Sequence, residues 1–327
     1  MPTFAINQGV EMFDIEKIRK NFNSVKIYTN IDFTLIIPTR SLGRQEWLDR
    51  SLNSFYGKAM YPNLVEAIVL LDSDDPETCA ATQKLVLKYE EKYDANIKMV
   101  IQKRDINLFT EKYQNYGVQC STGKFTWALN DECEMVTQDW DEIIRKALCD
   151  FYKIKRSTVA YIAIDDDTHV KTNKWRKYGC CFPILTIAAT EAINGNFPAE
   201  ISNWGADSAI YSIFTNSLPD HIIDLTNQVS LIHHSSHNGR READDIGLQV
   251  SNNSTVVTLS EGEMKMYERR LKEVVRSELE PFIFWIEKNL VTEFNKIPEV
   301  RELKPSLLQR MFYHTRKRLG LNKRKPV

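Results

Sequence analysis

The sequence predicts an α/β fold in which a mostly parallel central sheet is flanked by helices and followed by a helical C-terminal extension. Two observations carry this prediction. Short runs of β-branched and apolar residues alternate with segments of helical periodicity through the first half of the chain. Strands that alternate with helices pair in parallel, because each helix returns the chain to the edge where the next strand begins.

The first half contains four strand-sized apolar runs, each followed by polar residues. The runs are FTLIIP (33–38), VEAIVLL (65–71), IKMVIQ (97–102) and KFTWAL (124–129). Apolar residues recur at helical spacing over 46–56, around 85–89, over 107–120 and over 140–151. This alternation predicts four buried strands that are connected or followed by helices.

The second half is less regular but continues the pattern. A strand is predicted over 159–164, a strand and then a helix within 182–193, and a loop that leads into a helix over 203–214. VSLIHH (229–234) predicts a strand that ends on histidines. Helical spacing over 261–290 predicts a C-terminal helix, which Pro281 kinks or breaks.

The composition is that of an ordinary soluble globular protein. Hydrophobic residues make up 43%, charged residues 27%, and the formal net charge is −1. A nearly neutral chain is unlike a protein that binds polyanions over its whole surface. The sequence shows no secretory signal and no apolar run near the ~20 residues of a membrane span, so a cytoplasmic location is expected. The six cysteines form no CxxC pair and are expected to be free, mostly buried thiols.

The C-terminal tail is basic. No acidic residue follows Glu302. Between residues 310 and 325 the tail carries Arg310, Arg316, Lys317, Arg318, Lys323, Arg324 and Lys325. Such a segment predicts contact with nucleic acid or with the anionic inner face of the cell membrane. A solvated terminus is the alternative.

Polar and acidic side chains follow three of the predicted strands. In a parallel sheet these ends share one edge, where ligands bind. Carboxylates that crowd together repel one another, and hard oxygen ligands suit Mg²⁺ or Mn²⁺, so a divalent cation is predicted among them. Turns and helix caps rich in Asn and Asp are the alternative. The residues are Thr39 and Arg40, then Asp72, Asp74 and Asp75, then Asn130, Asp131 and Glu132.

Three of these segments carry a family resemblance. IIPTR (36–40), LLDSDDPE (70–77) and YQNYGVQCSTGKFTWALNDE (113–132) resemble, in order and spacing, the GT-A type of glycosyltransferase and its family 2-like group. The resemblance covers residues 33–240 and implies a GT-A-type fold with a nucleotide-sugar donor. It implies that Glu132, with Asp131, holds the metal. The motif here reads Asn-Asp-Glu where the family has Asp-x-Asp, so the direct ligand stays open.

On this basis the domains and the donor site can be predicted. A leader (1–32) precedes a glycosyltransferase domain (33–260), and a helical extension with the basic tail (261–327) follows it. Within the domain, 33–150 is the nucleotide-sugar half and 151–260 the acceptor half. The residues predicted to bind the donor are Thr39, Arg40, Arg44, Asp72, Asp74, Asn115, Asp131 and Arg240.

Looser matches predict the rest of the site. NWGADSAIYSIF (203–214) resembles the segment that supplies the catalytic base, which would be Asp207, and a helix cap is the alternative. In LIHHSSHNGRREADD (231–245), His234 is the predicted third metal ligand and His233 the next choice; a solvated loop is the alternative. The predicted acceptor contacts are Trp204, Asp165 and Asp167, with a core role for the Trp and a charged turn for the acids as alternatives.

The resulting hypothesis is a metal-dependent, inverting glycosyltransferase that uses Mn²⁺ or Mg²⁺ and a nucleotide-diphosphate sugar, with a UDP-sugar favoured. The expected acceptor is a glycan, while a modified DNA base and a protein stay open. One rival is a sugar-phosphate nucleotidyltransferase, which would need a glycine-rich loop after the first strand, whereas SLGRQ (41–45) has one Gly. The other rival is a non-catalytic glycan-binding module on the same fold.

Overall fold

The structure is a computed structural model that describes residues 31–40, 42–103, 113–168, 175–201, 205–234 and 259–277. These residues all fall in one compact unit that ends at Leu279, and a second unit, 280–327, lies outside the described residues. Residues 1–30 of the predicted leader, Pro281 and the basic tail are therefore not described. Within the described ranges, no helix is both long and apolar enough to cross a bilayer.

The predicted elements of the first half are present with small shifts at their ends. They are β1 (Phe33–Pro38), α1 (Gln45–Lys58), β2 (Val65–Asp72), α2 (Pro76–Tyr93), β3 (Asn96–Gln102), α3 (Gln114–Cys120), β4 (Phe125–Ala128), β5 (Cys133–Met135) and α4 (Trp140–Lys155). Of the helix predicted over 107–120, the described part begins at residue 114. The short strand β5 was not predicted.

The second half consists of shorter elements. They are β6 (Tyr161–Ala163), α5 (Trp175–Tyr178), β7 (Ile184–Thr186), α6 (Ile187–Ile193), α7 (Ala206–Ser217), β8 (Ile222–Asp224), β9 (Leu231–His233) and α8 (Glu261–Ser277). The strand predicted over 159–164 is only three residues long. After it, Asp165 leaves the strand and forms an isolated bridge with Ser230.

Seven of the described strands form one sheet in the order β3-β2-β1-β4-β7-β6-β8. β1 pairs in parallel with both β2 and β4, β2 pairs in parallel with β3, and β6 in parallel with β8. Only β7 runs antiparallel to its neighbours β4 and β6. The prediction of a mostly parallel central sheet flanked by helices is confirmed. β5 and β9 form a separate antiparallel pair.

Side-chain alternation along β1 explains why helices cover both faces of the sheet. Phe33, Leu35 and Ile37 point to one face, where they join the main core with residues of α1, α2 and α4. Ile36 points to the other face and packs with Tyr113 and residues of α3. All six residues of β1 and all eight of β2 are buried, as expected for central strands of a covered parallel sheet.

A glycine permits the close approach of α3 to β1. A Cβ atom added to Gly117 would lie 2.5 Å from Cγ2 of Ile36, well inside van der Waals contact. α3 also carries Asn115, and Tyr113 directly precedes it. The absence of a side chain at residue 117 therefore sets how closely these two residues lie to the sheet.

The amino edge of the sheet is held by a buried charge network. Asp32, just before β1, accepts a hydrogen bond from Arg145 Nε at 2.7 Å and pairs with Lys124, just before β4. Arg145 also contacts Asp141 at 3.4 Å. These side chains are at most 9% exposed, and each charge has an opposite partner. The network ties β1, β4 and α4 together at the edge opposite to the predicted site.

Helix α8 packs on the same unit as the sheet. Its residues Tyr267 and Leu271 are 2% and 0% exposed, and the helix contacts α6 and α7. The Tyr267 hydroxyl donates a hydrogen bond to Glu200 Oε2 at 2.5 Å. The predicted domain boundary at 260/261 therefore falls inside a compact unit, because the apolar stripe of α8 is buried against that unit.

Candidate active site

The strand order determines how the predicted acids are arranged. β1 lies between β2 and β4, so Asp72 at the end of β2 and Asp131 after β4 lie on opposite sides of β1. Two strand spacings of ~4.8 Å put their backbones roughly 10 Å apart, and the two carboxylates contact different arginines, Arg40 and Arg44. The predicted single cluster is therefore two neighbouring subsites, and each contains its own arginine.

The first subsite, called the Asp72 subsite, consists of Asp72, Arg40 and Tyr113. Arg40 Nε lies 3.3 Å from Asp72 Oδ2, and the Tyr113 hydroxyl donates to Asp72 Oδ1 at 3.1 Å. The Arg40 guanidinium also lies 4.5 Å from the centroid of the Tyr113 ring. Burial raises the pKa of Tyr113, so the phenol stays protonated and donates a hydrogen bond to the carboxylate.

The two other acids of the β2 loop differ from Asp72. Asp75 caps α2, because its carboxylate accepts from the Thr78 amide at 3.0 Å and from the Thr78 hydroxyl at 2.7 Å. Asp74, which is predicted to bind the donor, is exposed at the rim of the subsite. The alternative reading as a helix cap is therefore right for Asp75.

The second subsite contains Asp131 and Glu132, called the acid pair. Arg44 donates from Nε to Asp131 Oδ2 at 2.7 Å and from Nη2 to Glu132 Oε2 at 2.8 Å, and Nη2 also contacts Asp131 Oδ1. The carboxylate side chains are 0% and 3% exposed, and Arg44 is 18% exposed. Burial raises the pKa of Asp131, whereas Arg44 acts in the opposite direction. The arginine thus compensates the charge of two buried carboxylates.

The β5–β9 pair brings late histidines to the acid pair. His233 Nε2 lies 3.1 Å from Glu132 Oε1, and the Asn130 amide lies 3.4 Å from the same ring nitrogen. His234 contacts Glu134 instead, at 3.0 Å, and its ring lies 5.1 Å from that of Trp47. Consecutive residues of an extended chain point to opposite sides. For this reason the ring of His233, the second choice from the sequence, adjoins the acid pair, whereas His234 contacts Glu132 only through its backbone amide, at 3.1 Å.

The metal-binding groups of Asp131, Glu132 and His233 are of the chemical types that bind a divalent metal. Two carboxylates and one imidazole form a donor set that Mn²⁺ accepts readily. In the part of the chain that the structure describes, however, no three carboxylate, imidazole or thiol groups already converge as a metal site requires. The oxygens of the acid pair that face Arg44 are engaged by its guanidinium. The residues fit the metal chemically, and binding would require Arg44 to withdraw.

Asn115 has a structural environment. Its side chain is buried, its Nδ2 donates to the Phe197 carbonyl at 2.8 Å, and its Oδ1 accepts from the amides of Asn196 and Phe197. These bonds hold the turn after α6 against α3. The contacts favour a positioning role for Asn115 over the predicted direct contact with a donor.

The predicted catalytic base lies beside a second acidic turn. Asp207 is in the first turn of α7, after Gly205 at φ 95°, and its Oδ1 accepts from the Ser208 amide at 2.8 Å. Asp166 is buried and accepts from the Cys181 amide at 2.5 Å. Burial raises the pKa of Cys181, and the charges of Asp166 and Asp207 raise it further. Asp207 and Asp166 therefore both lie near Cys181, which stays a neutral thiol.

The two acids predicted to contact the acceptor sit in the turn around Asp166. Asp165 Oδ1 accepts from the Asp167 amide at 2.9 Å, while Asp167 itself has a left-handed backbone at φ 58°. Both observations are typical of a charged turn, the alternative reading of this segment. Asp166, which lies between them in the same acidic run, is the member of the turn that binds the Cys181 amide.

Comparisons with known proteins give likenesses of fold alone. No protein-family model and no curated protein matches the chain. TarS of S. aureus in complex with UDP is similar at 14% identity and a TM-score of 0.44, over 81% of this chain and 70% of that one. The mannosyltransferase PcManGT from Pyrobaculum calidifontis, in complex with GDP-Man and Mn²⁺, is similar at 13% identity and a TM-score of 0.47, over 94% and 87%. TarS in complex with UDP-GlcNAc gives 15% and 0.45, over 79% of each chain.

Three of the predicted site features lie outside the described residues. Trp204, predicted to contact the acceptor, is one, and Arg240, predicted to bind phosphate, is another. The third is the basic tail after residue 302. Their roles stay predictions from the sequence.

The described geometry offers three chemical functions along one edge of the sheet. The Asp72 subsite presents a carboxylate backed by an arginine and a phenol. The acid pair next to it presents two carboxylates, an imidazole and a guanidinium. The turn around Asp166 and the first turn of α7, with Asp207, present further carboxylates near Cys181. Such an edge can bind hydrogen-bond donors, cations and phosphate groups, and it can accept a proton.

Proposed function

We propose that the protein is a glycosyltransferase that moves a sugar from a nucleotide-diphosphate sugar to an acceptor hydroxyl. The observation that carries the proposal is the pair of neighbouring subsites at the carboxyl ends of β2 and β4, each with buried acid and an arginine. They lie roughly 10 Å apart, at two strand spacings. A ligand that engages both needs two polar parts at about that separation, and a nucleotide sugar, with its nucleoside and its diphosphate, has them.

The Asp72 subsite is suited to the nucleoside. Asp72 is fixed by Arg40 and Tyr113 and is almost fully buried, so its carboxylate is an oriented acceptor for a base N–H or a ribose hydroxyl. Asp74 stands exposed at the rim of the same loop. UDP is the nucleotide that we propose.

The acid pair is suited to the diphosphate end of the donor. Asp131, Glu132 and His233 would hold a divalent metal, Mn²⁺ or Mg²⁺, which would stabilise negative charge on the departing diphosphate. Arg44 supplies a guanidinium at the same place, and an arginine fork matches phosphate oxygens in geometry and charge. The acids position positive charge where the leaving group develops its negative charge.

Asp207 is suited to act as the general base. An acceptor hydroxyl must lose its proton as it attacks the anomeric carbon, and a carboxylate within hydrogen-bonding distance can take that proton. Asp166 lies in the same neighbourhood, since both carboxylates act on the Cys181 thiol. Attack from the side opposite to the diphosphate would invert the anomeric centre in a single displacement. A glycan is the proposed acceptor.

A thermal-shift series tests the donor site directly. The protein is heated with UDP, GDP, TDP, CDP or ADP, each with and without Mn²⁺ or Mg²⁺. Binding to the folded state raises the free energy of unfolding by about 2.7 kcal/mol at a hundred times Kd. We expect one nucleotide to give a metal-dependent rise in Tm. No rise with any nucleotide, in a folded sample, would contradict the proposal and favour a glycan-binding module.

A matched pair of variants tests the assignment of the Asp72 subsite. Asp72→Asn should weaken binding of that nucleotide about tenfold or more, because a charged hydrogen-bond acceptor becomes neutral. Asp220→Asn is the control, since Asp220 is an exposed acid that pairs with Lys155 at the surface. Equal nucleotide affinities of the two variants would show that the nucleoside does not bind at the Asp72 subsite.

A further inference from the structure

Arg44 contacts both carboxylates of the acid pair. Its guanidinium reaches Asp131 at 2.7 Å and Glu132 at 2.8 Å and so spans both members of the acid pair. The carboxylate side chains are 0% and 3% exposed. Two buried carboxylates side by side are costly unless a cation compensates them. Arg44 therefore does for the acid pair what a metal ion would do.

The position of Arg44 in the chain allows it to move without disturbing the sheet. It ends a short 3₁₀ turn, Leu42–Arg44, and caps the start of α1 with its backbone alone, since its side chain makes no capping hydrogen bond. Gly43 before it is exposed, with nothing within 4 Å of where a Cβ would be. The contacts of the guanidinium with the acid pair therefore depend on a long side chain from a surface turn.

A metal cannot occupy the lone pairs of the acid pair that now accept from this guanidinium. A divalent cation such as Mg²⁺ binds carboxylate oxygens at about 2.1 Å, in the space that now separates those oxygens from the arginine nitrogens. Both groups are also positively charged and repel each other at such short range. The remaining Glu132 oxygen, Oε1, faces His233 at 3.1 Å and is the side from which a metal could approach.

We infer that Arg44 is an exchangeable counter-ion, which holds the acid pair until a divalent cation displaces it and then binds the donor diphosphate. This inference rests on the proposed function, because it assigns the steps by which that donor site is loaded. Each partner of the contact finds a replacement: the carboxylates exchange a guanidinium for a metal, and the guanidinium exchanges carboxylates for phosphate oxygens. Metal binding and nucleotide binding are thereby coupled, and each strengthens the other.

Mn²⁺ alone is the probe that tests this exchange. Free Mn²⁺ is titrated by electron paramagnetic resonance against the wild-type protein, Arg44→Gln and Arg50→Gln. Arg50 lies on α1, six residues after Arg44, but is exposed and stacks on the Trp47 ring at 4.7 Å, so it serves as the control. Arg44→Gln should bind Mn²⁺ about tenfold more tightly or better, because a competing charge is gone. Arg50→Gln should match the wild type.

Equal or weaker Mn²⁺ binding by Arg44→Gln would overturn the inference. Because this variant leaves two buried carboxylates without their arginine, its folding is followed by thermal unfolding with and without Mn²⁺. The inference expects a larger rise in Tm from Mn²⁺ in Arg44→Gln than in the wild type. Should Arg44→Gln not fold, Arg44→Lys is used; it keeps the charge but loses the planar fork. It should then bind Mn²⁺ more tightly than the wild type, and unchanged affinity would count against the inference.

The outcome separates this inference from the proposed function. If no nucleotide binds but Arg44→Gln gains affinity for Mn²⁺, the displacement of Arg44 by metal stands, whereas the diphosphate step and the glycosyltransferase proposal fail. If nucleotides bind to the wild type with metal dependence but Mn²⁺ affinity is unchanged in Arg44→Gln, the donor site stands and the exchange fails.

Discussion

Acidic side chains that look equivalent in the sequence have different surroundings in the folded protein. Asp75 caps a helix through two hydrogen bonds from Thr78, while Asp72, three residues before it, is held by an arginine and a phenol. Asp131 is fully buried against Arg44. At this scale the role of a carboxylate follows from its partner. The Thr78 amide makes Asp75 a helix cap, whereas the Arg44 guanidinium on Asp131 is a cation that, by our inference, a metal can replace.

Asp207 is the residue whose replacement should separate chemistry from binding. Asp207→Asn should lower the rate of sugar transfer by about 10²–10⁴-fold, the usual contribution of a general base, and leave nucleotide affinity unchanged. Transfer is measured as release of nucleoside diphosphate from the donor with a glycan acceptor. Asp220→Asn, at an exposed turn, should keep the full rate. Full activity in Asp207→Asn would exclude it as the base.

At the scale of elements, helix placement depends on a few close contacts. α3 is seven residues long and reaches β1 through Gly117, opposite Ile36. The same helix carries Asn115, which holds the turn at Asn196 and Phe197 by three hydrogen bonds. A change in the distance between α3 and the sheet would therefore also displace Tyr113, which donates a hydrogen bond to Asp72.

Gly117→Ala should destabilise the protein by about 1–3 kcal/mol, the typical cost of overpacking in a dense core. The added Cβ would lie 2.5 Å from Ile36 Cγ2, so the helix or the strand must shift. Gly262→Ala, in the first turn of α8 with nothing within 4 Å, is the matched control and should not lower stability. Urea unfolding measures the stability of both variants. Equal unfolding midpoints for Gly117→Ala and Gly262→Ala would show that α3 can shift away from β1 without cost.

At the scale of the whole molecule, the two edges of the sheet have different tasks. The amino edge is tied by the buried network of Asp32, Lys124 and Arg145, in which every charge has a partner. The carboxyl edge holds the Asp72 subsite and the acid pair, where arginines compensate the acids. Stability and ligand binding are thus served by groups at opposite ends of the same strands.

Asp32→Asn should lower the free energy of unfolding by about 3 kcal/mol, because Lys124 and Arg145 lose the charge they share. The affinity of the folded protein for the nucleotide should stay the same, since the change lies at the opposite edge. Chemical denaturation and calorimetric titration measure the two quantities. A loss of affinity that matches the loss of stability would mean that the two edges are coupled.

The sequence by itself determined the order and type of most elements, because the period of apolar residues is a local property of the chain. It also predicted the functional edge, since polar residues follow the strands that become β1, β2 and β4. Which groups meet follows from the packing of the folded chain. The position of β1 between β2 and β4 separates Asp72 from Asp131, and the β5–β9 pairing places His233 on the acid pair. Such choices depend on strand order and register, which arise from contacts between residues far apart in the sequence.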